Sequence, residues 1–159
     1  MNKIKINSGD WVIVCDGRKA LILENIGDAQ YPNLHTKEVR EHTEPRTSDQ
    51  GTDRPGKTHV SVGTARSAME QTDWHDQSER AFLTALASHL HIVLTKGETH
   101  AFIMIASPRA LGMIREAYSP AVRGAIRAEI GKDLVKLPVH EIEKQLLSGN
   151  PAVAHVGTR

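Results

Sequence analysis

The sequence contains one cysteine, Cys15, so no disulfide can form within the chain. Disulfide frameworks are typical of oxidising compartments and small secreted domains, which this composition does not suit. No apolar run approaches the roughly 18 residues that a membrane span requires. Residues 1–10 are polar and lack the apolar stretch of a secretory signal. These absences predict a cytoplasmic protein with a free thiol and no membrane contact.

The chain also lacks a strong charge of either sign. Its formal net charge is +1, so no overall imbalance indicates nucleic acid or membrane as a partner. Hydrophobic residues make up 39% and charged residues 25%, which is ordinary globular composition. A length of 159 residues suits one domain with its own core. We expect a single α/β domain over residues 1–148 and a frayed tail over residues 149–159.

The first third of the chain is typical of a strand meander. The β-branched run 11–15 ends at Asp16-Gly17, a turn signal, and a second apolar run covers 20–26. These two runs are close enough to pair as an antiparallel hairpin, and residues 34–41 predict a third strand. Residues 42–64 are polar and rich in glycine and proline, so they predict a long mobile loop.

The remainder alternates between helical and strand patterns. Helices are expected at 76–94, after Ser107-Pro108, after Ser119-Pro120 as a short piece, and from Pro138; strands are expected at 101–106 and 125–130. The predicted order is β-β-β-α-β-α-β-α, with parallel pairing and right-handed crossovers in the second half. A mixed sheet of about five strands with helices on its faces, the layout of ribonuclease H-like folds, is the expected architecture.

That architecture raises the question of metal-dependent chemistry. Ribonuclease H-like nucleases place a metal-binding carboxylate near the end of the first strand, where Asp16 stands. Two-metal catalysis needs several convergent carboxylates, and the central strand over 103–107 supplies none. A turn residue is the favoured interpretation of Asp16. The alternative is a metal-dependent nuclease or hydrolase that uses Asp16 with Asp73 or Asp76.

Other catalytic and cofactor motifs are missing from the sequence. His89 and His91 point about 200° apart on a helix, and no His-x-x-x-His or Cys/His set exists. No phosphate-cradling GxxxxGK[ST] is present, and no GxGxxG follows a strand. We therefore predict no enzymatic activity, no metal and no cofactor.

A local excess of basic residues stands out between residues 107 and 136, where six lysines and arginines face three acidic residues. Such a face suits phosphate or protein recognition, and the fork of arginine binds phosphate well. The competing interpretation is a solvated helix surface, with Leu111, Ile114 and Gly112 packing the helix on the sheet. The candidate partner-binding residues are Arg109, Gly112, Arg115, Arg123, Arg127 and Lys132, and those of the loop are Arg54, Lys57 and Arg66. Gly112 is included because it lets a neighbouring backbone or ligand approach closely.

Four segments resemble one family. Residues 11–20 resemble its opening "WVLVADGxxAR", 53–57 its loop signature, 105–115 its "APPxxLGxLR" and 132–138 its "KDLTKxP". In order and spacing the chain is similar to the bacterial host-attachment proteins, named as "required for attachment to host cells". The resemblance covers about residues 10 to 148, with Cys15 in place of alanine and Ser107 in place of the first proline.

The resemblance implies a fold and a setting for the protein. The family is similar in fold to the middle domain of archaeal and eukaryotic peptide chain release factors, which implies a ribonuclease H-like domain with a link to the ribosome. The catalytic Gly-Gly-Gln of release factors is absent, so peptide release is not expected. The family name describes a phenotype, and we expect an indirect, non-enzymatic role. The expected partner is ribosomal RNA or a protein, and the oligomeric state is left open.

Overall fold

The computed structural model describes residues 4–42, 60–148 and 153–154, with side chains described for residues 4–42 and 74–148. Within these residues, six strands and four helices follow one another in the order β-β-β-α-β-α-α-β-α-β. The strands are β1 Trp11–Cys15, β2 Lys19–Asn25, β3 Leu34–Glu41, β4 Phe102–Ala106, β5 Ile126–Gly131 and β6 Val153–Ala154. The helices are α1 Val60–Thr95, α2 Pro108–Arg115, α3 Pro120–Ala125 and α4 Val139–Leu147.

The strands form one mixed sheet in the order β3-β2-β1-β4-β5-β6. Strand β2 runs antiparallel to both β1 and β3, which confirms the predicted hairpin. Strands β1, β4 and β5 pair in parallel, as the alternation of helices and strands predicts. The first five strands agree with their predicted bounds to within one residue.

The predicted order of elements was incomplete. It did not count the short helical piece expected after Ser119-Pro120, which the structure shows as the separate helix α3; Ser119 caps it by accepting a hydrogen bond from the backbone of Val122 at 3.2 Å. It also omitted β6, whose two residues pair antiparallel with β5. Two residues are too few to show an alternating pattern. The division into a domain over residues 1–148 and a tail stays a prediction, because the tail is described only at 153–154.

Helix α1 begins well before its predicted start at residue 76. It is helical from Val60, so residues 60–64 of the predicted loop belong to a helix, while 43–59 lie outside the described residues. No proline lies between Pro55 and the end of α1 at Thr95 to interrupt the helix. A single glycine such as Gly63 costs only about 1 kcal/mol. Among the described side chains of α1, which begin at residue 74, the buried apolar pattern on which the prediction rests starts at Leu83.

Both faces of the sheet are covered. In β1, Trp11, Ile13 and Cys15 pack towards α1, α2 and α3, whereas Val12 and Val14 pack towards α4. The five residues of β4 are all buried, as expected of a central strand between two layers of helices. Burial raises the pKa of the Cys15 thiol to about 12. This core places the carboxyl end of β4 directly beneath the start of α2.

Candidate interaction surface

Helix α2 turns one face to the core and the other to solvent. Its start is fixed by Ser107, whose side chain accepts a hydrogen bond from the backbone of Ala110 at 3.3 Å. The buried side carries Leu111 and Ile114, which confirms their predicted role in packing. The outward side carries Arg109, Gly112, Arg115 and Glu116. This outward side belongs to the predicted basic face and is accessible to solvent.

Gly112 lies in the middle of that outward side. A Cβ atom built at Gly112 would meet nothing within 4 Å. The expectation that Gly112 packs the helix on the sheet is therefore wrong, and no other backbone of the described residues approaches it. Whether a ligand does so stays a prediction.

Arg109 is tied to α1. Its guanidinium donates hydrogen bonds to the carboxylates of Asp76 and Glu79. These acceptors raise the pKa of Arg109, and the hydrogen bond that Arg109 donates to Glu79 has the largest effect. Glu79 also covers the β1–β2 turn so closely that a Cβ atom at Gly17 would lie 2.5 Å from its Cγ. The hairpin turn, α1 and α2 are thus joined at one place.

A second ion pair links the same two helices further along. Arg80 of α1 lies 2.9 Å from the carboxylate of Glu116 at the end of α2, and both side chains are exposed. Exposed pairs of this kind contribute little to stability. The pair with Glu116 does balance the positive charge of Arg80 at this surface.

Arg115 lies over a buried carboxylate. Glu129 of β5 is only 1% exposed and accepts a hydrogen bond from Nε of Arg115 at 2.8 Å. The hydroxyl of Tyr118 donates to the other oxygen of Glu129 at 3.2 Å. Burial, followed by the charge of Glu129, raises the pKa of Tyr118, so the phenol remains a donor. Both carboxylate oxygens are therefore satisfied, and Arg115 is held in one orientation.

Sequence reasoning missed the role of Glu129. The alternation over residues 125–130 places Glu129 with Arg127 on the polar side of the strand, which predicts exposure. Strand β5 lies between β4 and β6 and is covered on both faces, so even its polar side chain is buried. One signal could have indicated the pair. It is a carboxylate in a strand that is covered on both faces, together with basic residues in the helices that precede this strand.

Arg123 completes the arrangement. Its guanidinium carbon lies 5.5 Å from the ring centroid of Tyr118, a cation–π distance, and Nη2 donates to the backbone oxygen of Arg115 at 3.0 Å. Within the part of the chain with described side chains, no carboxylate forms a salt bridge with Arg123. Among the described side chains, it is the arginine of this surface whose charge is not balanced by a carboxylate.

The other predicted basic residues lie elsewhere. Arg127 pairs with Asp10 and donates to the backbone oxygen of Lys5 at 2.9 Å. Lys132 follows the opposite end of β5, where its amine lies 3.3 Å from the side-chain oxygen of Gln145. Of the six predicted residues, the fold therefore brings together Arg109, Gly112, Arg115 and Arg123. Of the loop candidates, Arg54 and Lys57 lie outside the described residues, and Arg66 lies in α1 with its side chain not described.

A groove adjoins this cluster between α1 and the start of α3. We call it the α1–α3 groove; it has a volume of ≈ 320 Å³ and is lined by Ala87, Ser88, His91, Ile92, Ala117 and Ser119. Ile92 is 48% exposed. Nδ1 of His91 lies 2.8 Å from Oγ of Ser119 and closes one wall. The sequence pattern did not indicate this groove, because only the fold brings α1 beside α3.

A larger hollow of ≈ 560 Å³ lies between α1 and the edge strand β3. Its β3 wall includes Glu38, Arg40 and Glu41. Charged side chains are the usual protection of an edge strand against pairing with another chain. Glu38 also lies 3.3 Å from the imidazole of His89, whereas His91 faces Ser119. The two histidines thus lie on different sides of α1, as predicted.

The residues proposed for metal chemistry have other contacts. Asp16 accepts hydrogen bonds from the backbone of Arg18 at 2.8 Å and of Lys19 at 2.9 Å, which confirms its interpretation as a turn residue. Asp76 pairs with Arg109, and the side chain of Asp73 is not described. Across the described residues, no group of three His, Cys, Asp or Glu side chains could hold a metal ion.

The fold and this surface define a mixed α/β domain with a polar helical face beside an apolar groove. The chain belongs to the family described as "protein required for attachment to host cells", whose model matches residues 11–146. No curated protein matches the chain. In the portion that the structure describes, no helix combines the length and apolar character needed to cross a bilayer.

Proposed function

We propose that this chain is a non-enzymatic, protein-binding member of the host-attachment family. Its binding surface is the α2–α3 surface, which consists of Arg109, Gly112, Arg115, Glu116 and Arg123. The observation that carries the proposal is the burial of Glu129 beneath Arg115. A buried ion pair is weak evidence for stability, because desolvation offsets its attraction. Here it orients arginines at the surface, which is what recognition requires.

The balance of charge supports a protein partner over RNA. Four arginines and four carboxylates lie on or beneath this side of the molecule, and three of the arginines are paired. They are Arg80, Arg109, Arg115 and Arg123, with Asp76, Glu79, Glu116 and Glu129. Affinity for a phosphate backbone depends on several uncompensated cations that release counterions. A neutral patch of mixed charges lacks that driving force and suits a protein surface.

The strand arrangement supports the finer assignment of fold. An antiparallel β1–β2–β3 meander beside parallel β1, β4 and β5 agrees with the ribonuclease H-like layout of the release-factor middle domain. Without Gly-Gly-Gln, a ribosomal contact would be non-catalytic. The unbalanced charge of Arg123 is the observation that favours ribosomal RNA as a second candidate. With either partner, the role in attachment is indirect and its place is the cytoplasm.

Cross-linking in cells tests this function. A photo-cross-linking residue replaces Gly112, which is exposed and has open space around it. We expect a covalent adduct with a protein that survives nuclease treatment. The control carries the same residue at Lys144, an exposed position on α4. Equal adducts from both positions, or an adduct that nuclease removes, would contradict a protein partner at the α2–α3 surface.

A further inference from the structure

We infer that the α1–α3 groove receives a partner segment in which an apolar side chain stands next to a carboxylate, and that Arg123 binds this carboxylate. The inference rests on the proposed function and specifies the chemistry of its partner. The apolar half of the site is the groove itself, and the charged half is Arg123, one helical turn after the groove residue Ser119.

The apolar half is unusual for an exposed helix face. Residues 81–95 of α1 contain no Asp, Glu, Lys or Arg. Exposed helix faces normally carry charged residues, yet here Ala85, Ser88 and Ile92 are exposed and neutral. A volume of ≈ 320 Å³ is at the lower end of ligand pockets, which suits a few side chains of a short segment.

The charged half is Arg123 of α3. Ser119 lines the groove, and the backbone N–H of Arg123, one helical turn later, donates to the backbone oxygen of Ser119 at 2.9 Å, so Arg123 is a close neighbour of the groove. Stacking on Tyr118 and one hydrogen bond to the backbone of Arg115 hold the guanidinium in place. A guanidinium has five N–H donors, so most of those of Arg123 are available. A carboxylate accepts two of them side by side.

Charge complementarity selects the partner. Arg115 is neutralised by Glu129 and Arg109 by Asp76 and Glu79, whereas Arg123 has no carboxylate among the described side chains. Among the described side chains, Arg123 therefore contributes one excess positive charge beside the groove. One unbalanced cation beside an apolar groove matches a single carboxylate next to an apolar side chain, whereas a nucleic-acid strand would need a row of cations.

Peptide selection against the full chain tests the inference. A phage library of random 12-residue peptides is the probe, and we expect selected sequences to place Asp or Glu next to Leu, Ile or Phe. One selected peptide is then synthesised with its acid and with the matching amide. We expect the amide peptide to bind the unaltered chain about tenfold more weakly than the acidic peptide does. We expect the same loss when the acidic peptide binds Arg123→Gln. Combining both changes should add almost nothing, because they remove the same contact.

Two control variants separate this site from general surface effects. Arg18→Gln removes an exposed arginine at the β1–β2 turn, and Ile26→Ser removes an isoleucine that is 54% exposed. We expect both to leave peptide affinity unchanged, whereas Ile92→Ser weakens it several-fold. Thermal midpoints of all variants are measured alongside, so that unfolding is not mistaken for lost binding.

The outcomes distinguish this inference from the proposed function. Selected peptides without an acid, equal affinity of Arg123→Gln and the unaltered chain, or displacement of the peptide by a 12-nucleotide single-stranded RNA would overturn the inference. If that happens while the protein adduct at position 112 persists, the proposed function stands and only its partner chemistry is wrong. If the amide peptide and Arg123→Gln show the expected non-additive loss of affinity but no adduct forms at position 112, the inference stands and the proposed cellular function fails.

Discussion

The carboxylate of Glu129, buried in β5, accepts a hydrogen bond from Nε of Arg115 at 2.8 Å, across the boundary between core and surface. Glu129 also accepts from Tyr118, and Tyr118 in turn supports Arg123. One buried charge therefore orients the two arginines at the centre of the α2–α3 surface. The first prediction concerns this pair.

Arg115→Met should lower the free energy of unfolding by about 3 kcal/mol, because it leaves the charge of Glu129 buried without its partner. The double variant Arg115→Met, Glu129→Leu should recover most of that loss, since it removes both charges from the site. Urea denaturation at pH 7 measures both. If the double variant is as unstable as the single one, the pair does not have the energetic role assigned to it.

Stability should fall in alkali through Cys15. Burial raises the pKa of its thiol to about 12 from an ordinary value of 9.0. Above pH 9 the unfolded chain loses this proton while the folded chain keeps it, so the native state loses stability as pH rises towards 12. Cys15→Ala should show a shallower decline between pH 8 and 10, whatever its stability at pH 7. Denaturation of both proteins across that range measures the difference, and parallel declines would contradict the prediction.

Two glycines should respond oppositely to alanine. Gly17→Ala forces Glu79 away, because the added Cβ would lie 2.5 Å from its Cγ, and it should destabilise the chain by about 1–2 kcal/mol. Gly112→Ala enters open space in a helix and should stabilise it by about 0.5–1 kcal/mol. Thermal unfolding checks both signs. If a partner approaches Gly112 closely, Gly112→Ala should also weaken non-covalent binding of the partner identified by cross-linking, in spite of its greater stability.

Arg123 and Arg127 should separate binding from stability. Arg127→Gln breaks the pair with Asp10, a side chain that is 6% exposed, and should cost about 1–2 kcal/mol without changing peptide affinity. Arg123→Gln should weaken peptide binding and leave the free energy of unfolding nearly unchanged, because the charge of Arg123 has no carboxylate partner among the described side chains. Calorimetric titration with a selected peptide, together with thermal unfolding, compares the two. Loss of affinity in Arg127→Gln would show that the binding surface extends to the start of β5.

The sequence by itself determined the first five strands, the hairpin and the starts of α2, α3 and α4, because these depend on local chemistry. Alternating or continuous apolar runs define the strands, Asp16 accepts the backbone bonds of its own turn, and Ser107 and Ser119 each cap the helix that follows. The resemblance to the family, whose model matches residues 11–146, could be recognised for the same reason, because the segments that carry it are short and contiguous.

Only the tertiary structure decided which polar groups meet. The burial of Glu129 depends on the layer of helices over β5. The positive charge of Arg109 is balanced by carboxylates of α1 that lie about thirty positions earlier in the chain. The six predicted partner-binding residues are close in sequence but lie in three places. Arg127 and Lys132 are at opposite ends of β5, and the other four are in α2 and α3. Charge pairing acts over a few ångströms in space, and a linear sequence does not show those distances.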